Sequence, residues 1–260
     1  MNKPNKAILV VSFGTSYEET RKKTIDAIED DIQCAFPNYK IYRAFTSKMI
    51  IKKLRDTYNI KINTVTEALR EILNDGVKEL IVQPTHIING TENDCMINDV
   101  KEFKDKFDSV QIGTPLLTTT EDYFSLIKII SNRFSNLKPD EALVCIGNGS
   151  DHYTNASYPA LDYMFKSKGF SNVFLGTVEG YPTIDNIVSQ LKSFKPKKSY
   201  LMPLMIVAGD HATNDMAGDS EDSWKSILEA NGFKAQCIIK GLGEYPEVRQ
   251  LFIDHIKRVI

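Results

Sequence analysis

The chain has 260 residues, 42% hydrophobic and 25% charged, an ordinary globular composition with length for one large domain or two of usual size. Its formal net charge of -2 removes the electrostatic case for a nucleic-acid partner, and no apolar run is long enough to span a bilayer. The four cysteines, Cys34, Cys95, Cys145 and Cys237, form no Cys-x-x-Cys pair and read as free, mostly buried thiols of a reducing compartment.

In chain order, Ala7 to Phe13 is a continuous apolar run of the kind found in a central parallel strand covered on both faces. It stops too soon for a secretory h-region, and no small-residue cleavage site follows, so it reads as the first strand of a cytoplasmic protein. Thr15 or Ser16 is placed to cap the next helix, which Pro37 stops after Phe36. Lys40 to Phe45 follows as a strand, then helices over Met49 to Asp56 and Val65 to Leu73. Glu79 to Gln83 is a strand, Met96 to Phe107 a helix, Val110 to Gly113 a strand and Tyr123 to Phe134 a helix. The order then repeats. Strand Ala142 to Ile146 precedes a helix near Tyr158 to Lys166, and strand Val173 to Val178 a helix from Thr183 to Leu191. Strand Tyr200 to Pro203 leads through a long loop to a helix from about Ser220 to Ala230. Strand Ala235 to Ile239 comes next, and Pro246 opens the last helix.

The two halves also echo each other in letters. AILVVSFGTS from Ala7 corresponds to ALVCIGNGS from Ala142, and QPTHIINGTEND from Gln83 to MPLMIVAGDHATND from Met202. The second match pairs Pro84 with Pro203, Gly90 with Gly209 and Glu92 with His211. The expected fold is therefore α/β, with two similar doubly wound parallel-sheet domains related by a pseudo-twofold duplication. The halves are expected to divide into 1–136 and 137–260, to face each other across a cleft, and to place the site in the second.

In open parallel sheets, ligands sit beyond the carboxyl ends of the strands. Three successive strand ends of the second half lead to Asn148, Glu179 and His211, which are candidates to converge. A carboxylate with an imidazole suits a divalent transition metal. The competing reading is local: Glu179 caps the following helix and His211 packs or caps in place. A phosphate loop is not supported, because SFGTS and IGNGSDH lack both the glycine spacing and the Gly-Lys-Ser/Thr ending. No nucleotide is expected. Lone histidines His86 and His152 follow strand ends, and His255 reads as a surface or half-buried helix residue. Trp224, the only tryptophan, is expected to anchor its helix.

SFGTS, QPTHIINGTE, VEGYP and LMPLMIVAGDHATNDMAGDSEDSW together resemble the anaerobic sirohydrochlorin cobaltochelatases, of the class II chelatase group, over essentially the whole chain. The resemblance implies a two-lobed chelatase-like fold. It also implies ATP-independent insertion of Co2+, as substrate metal, into a sirohydrochlorin-type tetrapyrrole on the route to cobalamin, with Ni2+ or Fe2+ as alternative metals. In that family two histidines and a glutamate hold the metal. His211 and Glu179 match two of these ligands, and the third lies in a Gly-His-Gly turn that here reads Gly147-Asn148-Gly149. An asparagine amide offers a weak oxygen ligand and takes no proton near neutral pH. A weakly active tetrapyrrole- or metal-binding protein is therefore the alternative, with His152 a partial substitute if its loop folds inward. The implied catalytic set is His211, Glu179 and Asn148. Ser12, Gly14, Thr15 and Ser16, at a helix start, are expected to bind the substrate's carboxylates, with His86 and Glu92 on the same rim. A homo-oligomer is left open.

Overall fold

The computed structural model describes residues 5–260. They form two compact units, one of residues 5–118 with Gly243–Ile260, the other Thr119–Leu242.

In the first unit, β1 (Lys6–Ser12) is buried along almost its whole length, as its unbroken apolar run requires. It is followed by α1 (Glu18–Arg21), a π-helical turn (Lys22–Asp26) and α2 (Ala27–Ala35). Then come β2 (Lys40–Phe45), α3 (Lys48–Tyr58), α4 (Val65–Asn74), β3 (Glu79–Pro84), α5 (Thr91–Lys101) and β4 (Ser109–Ile112). The sheet is parallel, in the order β2-β1-β3-β4.

The second unit holds α6 (Thr120–Arg133), β5 (Glu141–Gly147), α7 (Ser157–Ser167), β6 (Val173–Thr177), α8 (Ile184–Phe194) and β7 (Lys198–Pro203). A π-helical turn (His211–Met216), α9 (Trp224–Ala230) and β8 (Ala235–Cys237) complete it. Its parallel sheet runs β6-β5-β7-β8, the same order as the first. The ladder registers preserve the sequence echo: Val11 stands beside Pro84 in the first sheet, and Ile146 beside Pro203 in the second.

The packing differs from a division at 136/137. α6 packs on α7 in the second unit, and the last helix, α10 (Pro246–Lys257), packs on α2 in the first. Arg249 Nε donates to Asp31 at 2.6 Å, and His255 Nδ1 donates to the Thr114 carbonyl at 2.9 Å. His255 is thus a core residue, 1% exposed, rather than a surface one. Other boundaries shift as well. α5 begins at Thr91, five residues before the expected Met96, because Gly90 supplies an extended residue that opens the helix. Neither Thr15 nor Ser16 caps α1; the residue before it is Tyr17, with no side-chain cap. Trp224 anchors α9 as expected. It is buried, and a Cβ built on Gly176 of β6 would come within 2.6 Å of its ring. Among the described residues, no helix is long and apolar enough to cross a membrane.

Gly14 and Gly149 occupy the same place after the central strand of each sheet, and both have positive φ, +103° and +83°. Only glycine adopts such angles without strain. At Gly149 a Cβ would also lie 2.5 Å from the backbone nitrogen of Gly180. We expect Gly149→Ala to lose about 1–3 kcal/mol of stability in denaturant unfolding. Wild-type stability in that variant would show that the turns after β5 and β6 separate freely.

Candidate metal and active site

In the second sheet β5 is central. The chain passes from β5 to β6 on one side and then to β7 on the other, so the loops leaving β5 and β7 diverge and open a crevice at their carboxyl ends. Asn148, Glu179 and His211 lie on the three connections that leave β5, β6 and β7.

Backbone hydrogen bonds join the first two connections. Val178 N donates to Gly147 O at 3.0 Å, and Glu179 N to Asn148 O at 2.7 Å. Asn155 adds a side-chain clasp: its Oδ1 accepts from Ser150 N at 3.1 Å, and its Nδ2 donates to Tyr181 O at 2.7 Å. Thr177 N and Oγ1 both donate to Pro182 O, closing the Glu179 loop at its base. Asn148 and Glu179 are therefore held side by side by main chain.

His211 opens the π-helical turn. Ala212 and Met216 of this turn are fully buried in the core beneath it, with Trp224 and Leu228. His211 and Asp215 lie on the opposite, half-exposed face. His211 Nε2 stands 3.9 Å from Glu179 Oε1, and Nδ1 stands 2.6 Å from Asp215 Oδ2. The first distance is too long for a hydrogen bond. Two donors each bound at about 2.1 Å to one ion lie up to about 4 Å apart, so the pair is spaced to share a metal. The Glu179 side chain is 63% exposed, open to an incoming ion. Among the described residues, no group of three or more His, Cys, Asp or Glu is arranged to hold a metal.

His152 is engaged locally through one ring nitrogen. Its Nδ1 faces Thr154 Oγ1 at 2.8 Å and accepts from Thr154 N at 3.3 Å, and its ring stacks on exposed Tyr153. Nδ1 is committed to this local cap.

The other expected residues lie in the first unit. Ser12 and Thr15 are buried, and their hydroxyls are engaged. Thr85 Oγ1 donates to Ser12 Oγ at 2.8 Å, and Thr15 Oγ1 accepts from Tyr17 N at 3.1 Å. Gly14 packs under the Phe45 ring. Ser16 and Glu92 are half-buried, Glu92 in the first turn of α5. His86 follows β3. The residue as a whole is half-buried, yet both ring nitrogens are shut off from solvent without a hydrogen-bond partner. The residue that sequence reasoning passed over is Asp215, whose signal is its spacing of four from His211.

Comparison with known proteins supplies an independent line. The family described as cobalt chelatase (CbiK) matches residues 6–260. The sirohydrochlorin cobaltochelatase of Salmonella typhimurium is 40% identical over 255 residues, covering 98% of this chain and 96% of the relative. Sirohydrochlorin cobaltochelatase CbiKC of Nitratidesulfovibrio vulgaris is 32% identical over 258 residues, covering 98% and 90%. Among solved structures, SirB from Bacillus subtilis with Fe3+ superposes at a TM-score of 0.66 with 13% identity, covering 98% of this chain and 95% of that one. CbiX, described as the terminal enzyme of siroheme biosynthesis in denitrifying bacteria, gives 0.60 with 16% identity, covering 98% and 100%. At these identities the two structures speak for the fold alone.

Burial pushes the His86 pKa from 6.5 down to about 4. Its folded form stays neutral where the unfolded chain takes up a proton, so stability is lost as pH falls from about 6.5 towards 4. Met205 occupies the equivalent position in the second half. We expect His86→Met to gain on wild type by up to about 3 kcal/mol across that window in paired unfolding curves. Parallel curves would mean that the ring charges freely in the fold.

Proposed function

This chain belongs to the cobalt chelatase (CbiK) family, and from that premise we propose that it inserts Co2+ into sirohydrochlorin, without a nucleotide, in cobalamin biosynthesis. The observation that carries the reading is the approach of His211 Nε2 to Glu179 Oε1, 3.9 Å, at the carboxyl edge of the second sheet.

Metal insertion must strip water from a divalent ion and remove two protons from pyrrole nitrogens. An imidazole nitrogen and a carboxylate oxygen suit a borderline ion such as Co2+ and leave its remaining positions to water and then to the macrocycle. Ni2+ and Fe2+ suit the same donors and are proposed as competitors. As the metal passes to the macrocycle, the same two groups are released and become acceptors for the pyrrole protons. Exposure of Glu179 lets it exchange those protons with solvent. The amide of Asn148 contributes at most a weak oxygen ligand and takes no proton. Of the first unit's candidates for substrate contact we keep Ser16, Glu92 and the backbone of the Gly14 turn, since Ser12 and Thr15 are buried. Only Cys145 of the four thiols is buried, against the expectation that most would be; Cys34 and Cys95 are exposed and free, which favours a reducing cytoplasm.

The reading is tested by following the absorbance change of sirohydrochlorin with Co2+. His211→Ala should abolish insertion, because it removes the one imidazole of the pair. Insertion at the wild-type rate would place the acceptor elsewhere. Asn148→His should raise the rate by about tenfold or more, since a positioned base is typically worth about a hundredfold to ten-thousandfold. An unchanged rate and unchanged Co2+ affinity would remove Asn148 from the metal's surroundings.

A further inference from the structure

We propose that Asp215 is a positioning residue that fixes the tautomer and orientation of His211, and so decides which imidazole nitrogen meets the metal. This rests on the reading of His211 and Glu179 as the metal-facing pair.

The argument begins with donors and acceptors. An ionised carboxylate only accepts, so a 2.6 Å approach of Asp215 Oδ2 to His211 Nδ1 places the proton on Nδ1. In the neutral ring the other nitrogen then carries the lone pair, and that nitrogen, Nε2, is the one 3.9 Å from Glu179 Oε1. The alternative tautomer would point an N–H at the ion. A carboxylate on the distal nitrogen of a metal-binding histidine is a general device for setting its tautomer and ring orientation.

The second observation is the backbone. His211 and Asp215 stand four apart on the π-helical turn of residues 211–216, a spacing that leaves their side chains neighbours on one face. The first half provides the contrast. In the register that pairs Glu92 with His211, Asp215 corresponds to Met96, which lies in the regular helix α5 and is fully buried in its core. In the second half the extra width of the turn moves the core position one residue on, to Met216, also fully buried. The position before it is thereby turned out to the face of His211. Asp215 is 43% exposed and makes no contribution to the core, so its placement is explained by the imidazole. A parallel pair, Asn214 Nδ2 to Asp210 Oδ1 at 3.0 Å, braces the next stripe of the turn.

The test uses the whole chain with 15N-labelled histidine and Co2+ alone as the probe. In the wild type the His211 resonances should show a protonated Nδ1 and an unprotonated Nε2. Asp215→Asn keeps the shape but lets the side-chain amide donate to Nδ1, which favours the opposite tautomer. That variant should shift the resonances towards protonated Nε2, weaken Co2+ binding by about ten- to hundredfold, and lower the insertion kcat while leaving the KM for tetrapyrrole unchanged. Asp215→Glu should restore part of the affinity, and thermal unfolding should be unchanged in both variants. Wild-type tautomer and Co2+ affinity in Asp215→Asn, with His211→Ala still inactive, would overturn this proposal and leave the metal pair standing. Full activity in His211→Ala would instead remove the reading on which it rests.

Discussion

The site depends on one constraint, the parallel pairing of β5 with β6 on one side and β7 on the other. Parallel strands end at the same edge, so the connections leaving all three start side by side. Their geometry is then set by a few main-chain bonds. The Glu179 amide on the Asn148 carbonyl is one of these, at 2.7 Å. Because it runs between backbones, it holds Glu179 beside position 148 whatever side chain stands there. Only the third connection uses a helical element to aim its residue, and that element is wound as a π-turn.

The duplication separates scaffold from chemistry. Strand order, ladder register and a glycine of positive φ after the central strand recur in both units. The residues at the strand ends do not. Phe13 stands where Asn148 stands, Glu92 where His211 stands, Met96 where Asp215 stands, and His86 where Met205 stands. One unit presents an imidazole in contact with a carboxylate; in the other, both nitrogens of an imidazole are buried without a partner. A fold that fixes loop origins through backbone hydrogen bonds tolerates such divergence, since strand-end side chains contribute little to the sheets that position them.

Much of this was legible in the chain itself, for physical reasons. The unbroken apolar runs of β1 and β5 announce strands covered on both faces, and both prove buried to their ends. The rule that ligands gather at carboxyl strand ends selected Glu179 and His211, which do meet. The readings that missed depended on side-chain direction. Ser12 and Thr15 look like surface donors, but both are buried, Ser12 accepting from Thr85 and Thr15 from the Tyr17 amide. His86 sits at a strand end and is nonetheless shut from water by its neighbours.

The sequence by itself determined the alternation of elements, the two equivalent halves, the parallel sheets and which strand ends bring Glu179 and His211 near each other. These follow from hydrophobic period and glycine placement, which act over a few residues. Tertiary structure alone decided the exchange of α6 and α10 between units, the burial of His255 and the engagement of the strand-end hydroxyls. It also decided that residues 211–216 wind as a π-turn, with Asp215 beside His211. Each of these turns on whether a side chain finds its partner in the core or at the surface. A local pattern of apolar and polar residues does not carry that information, because it records periodicity and not partners distant in the chain.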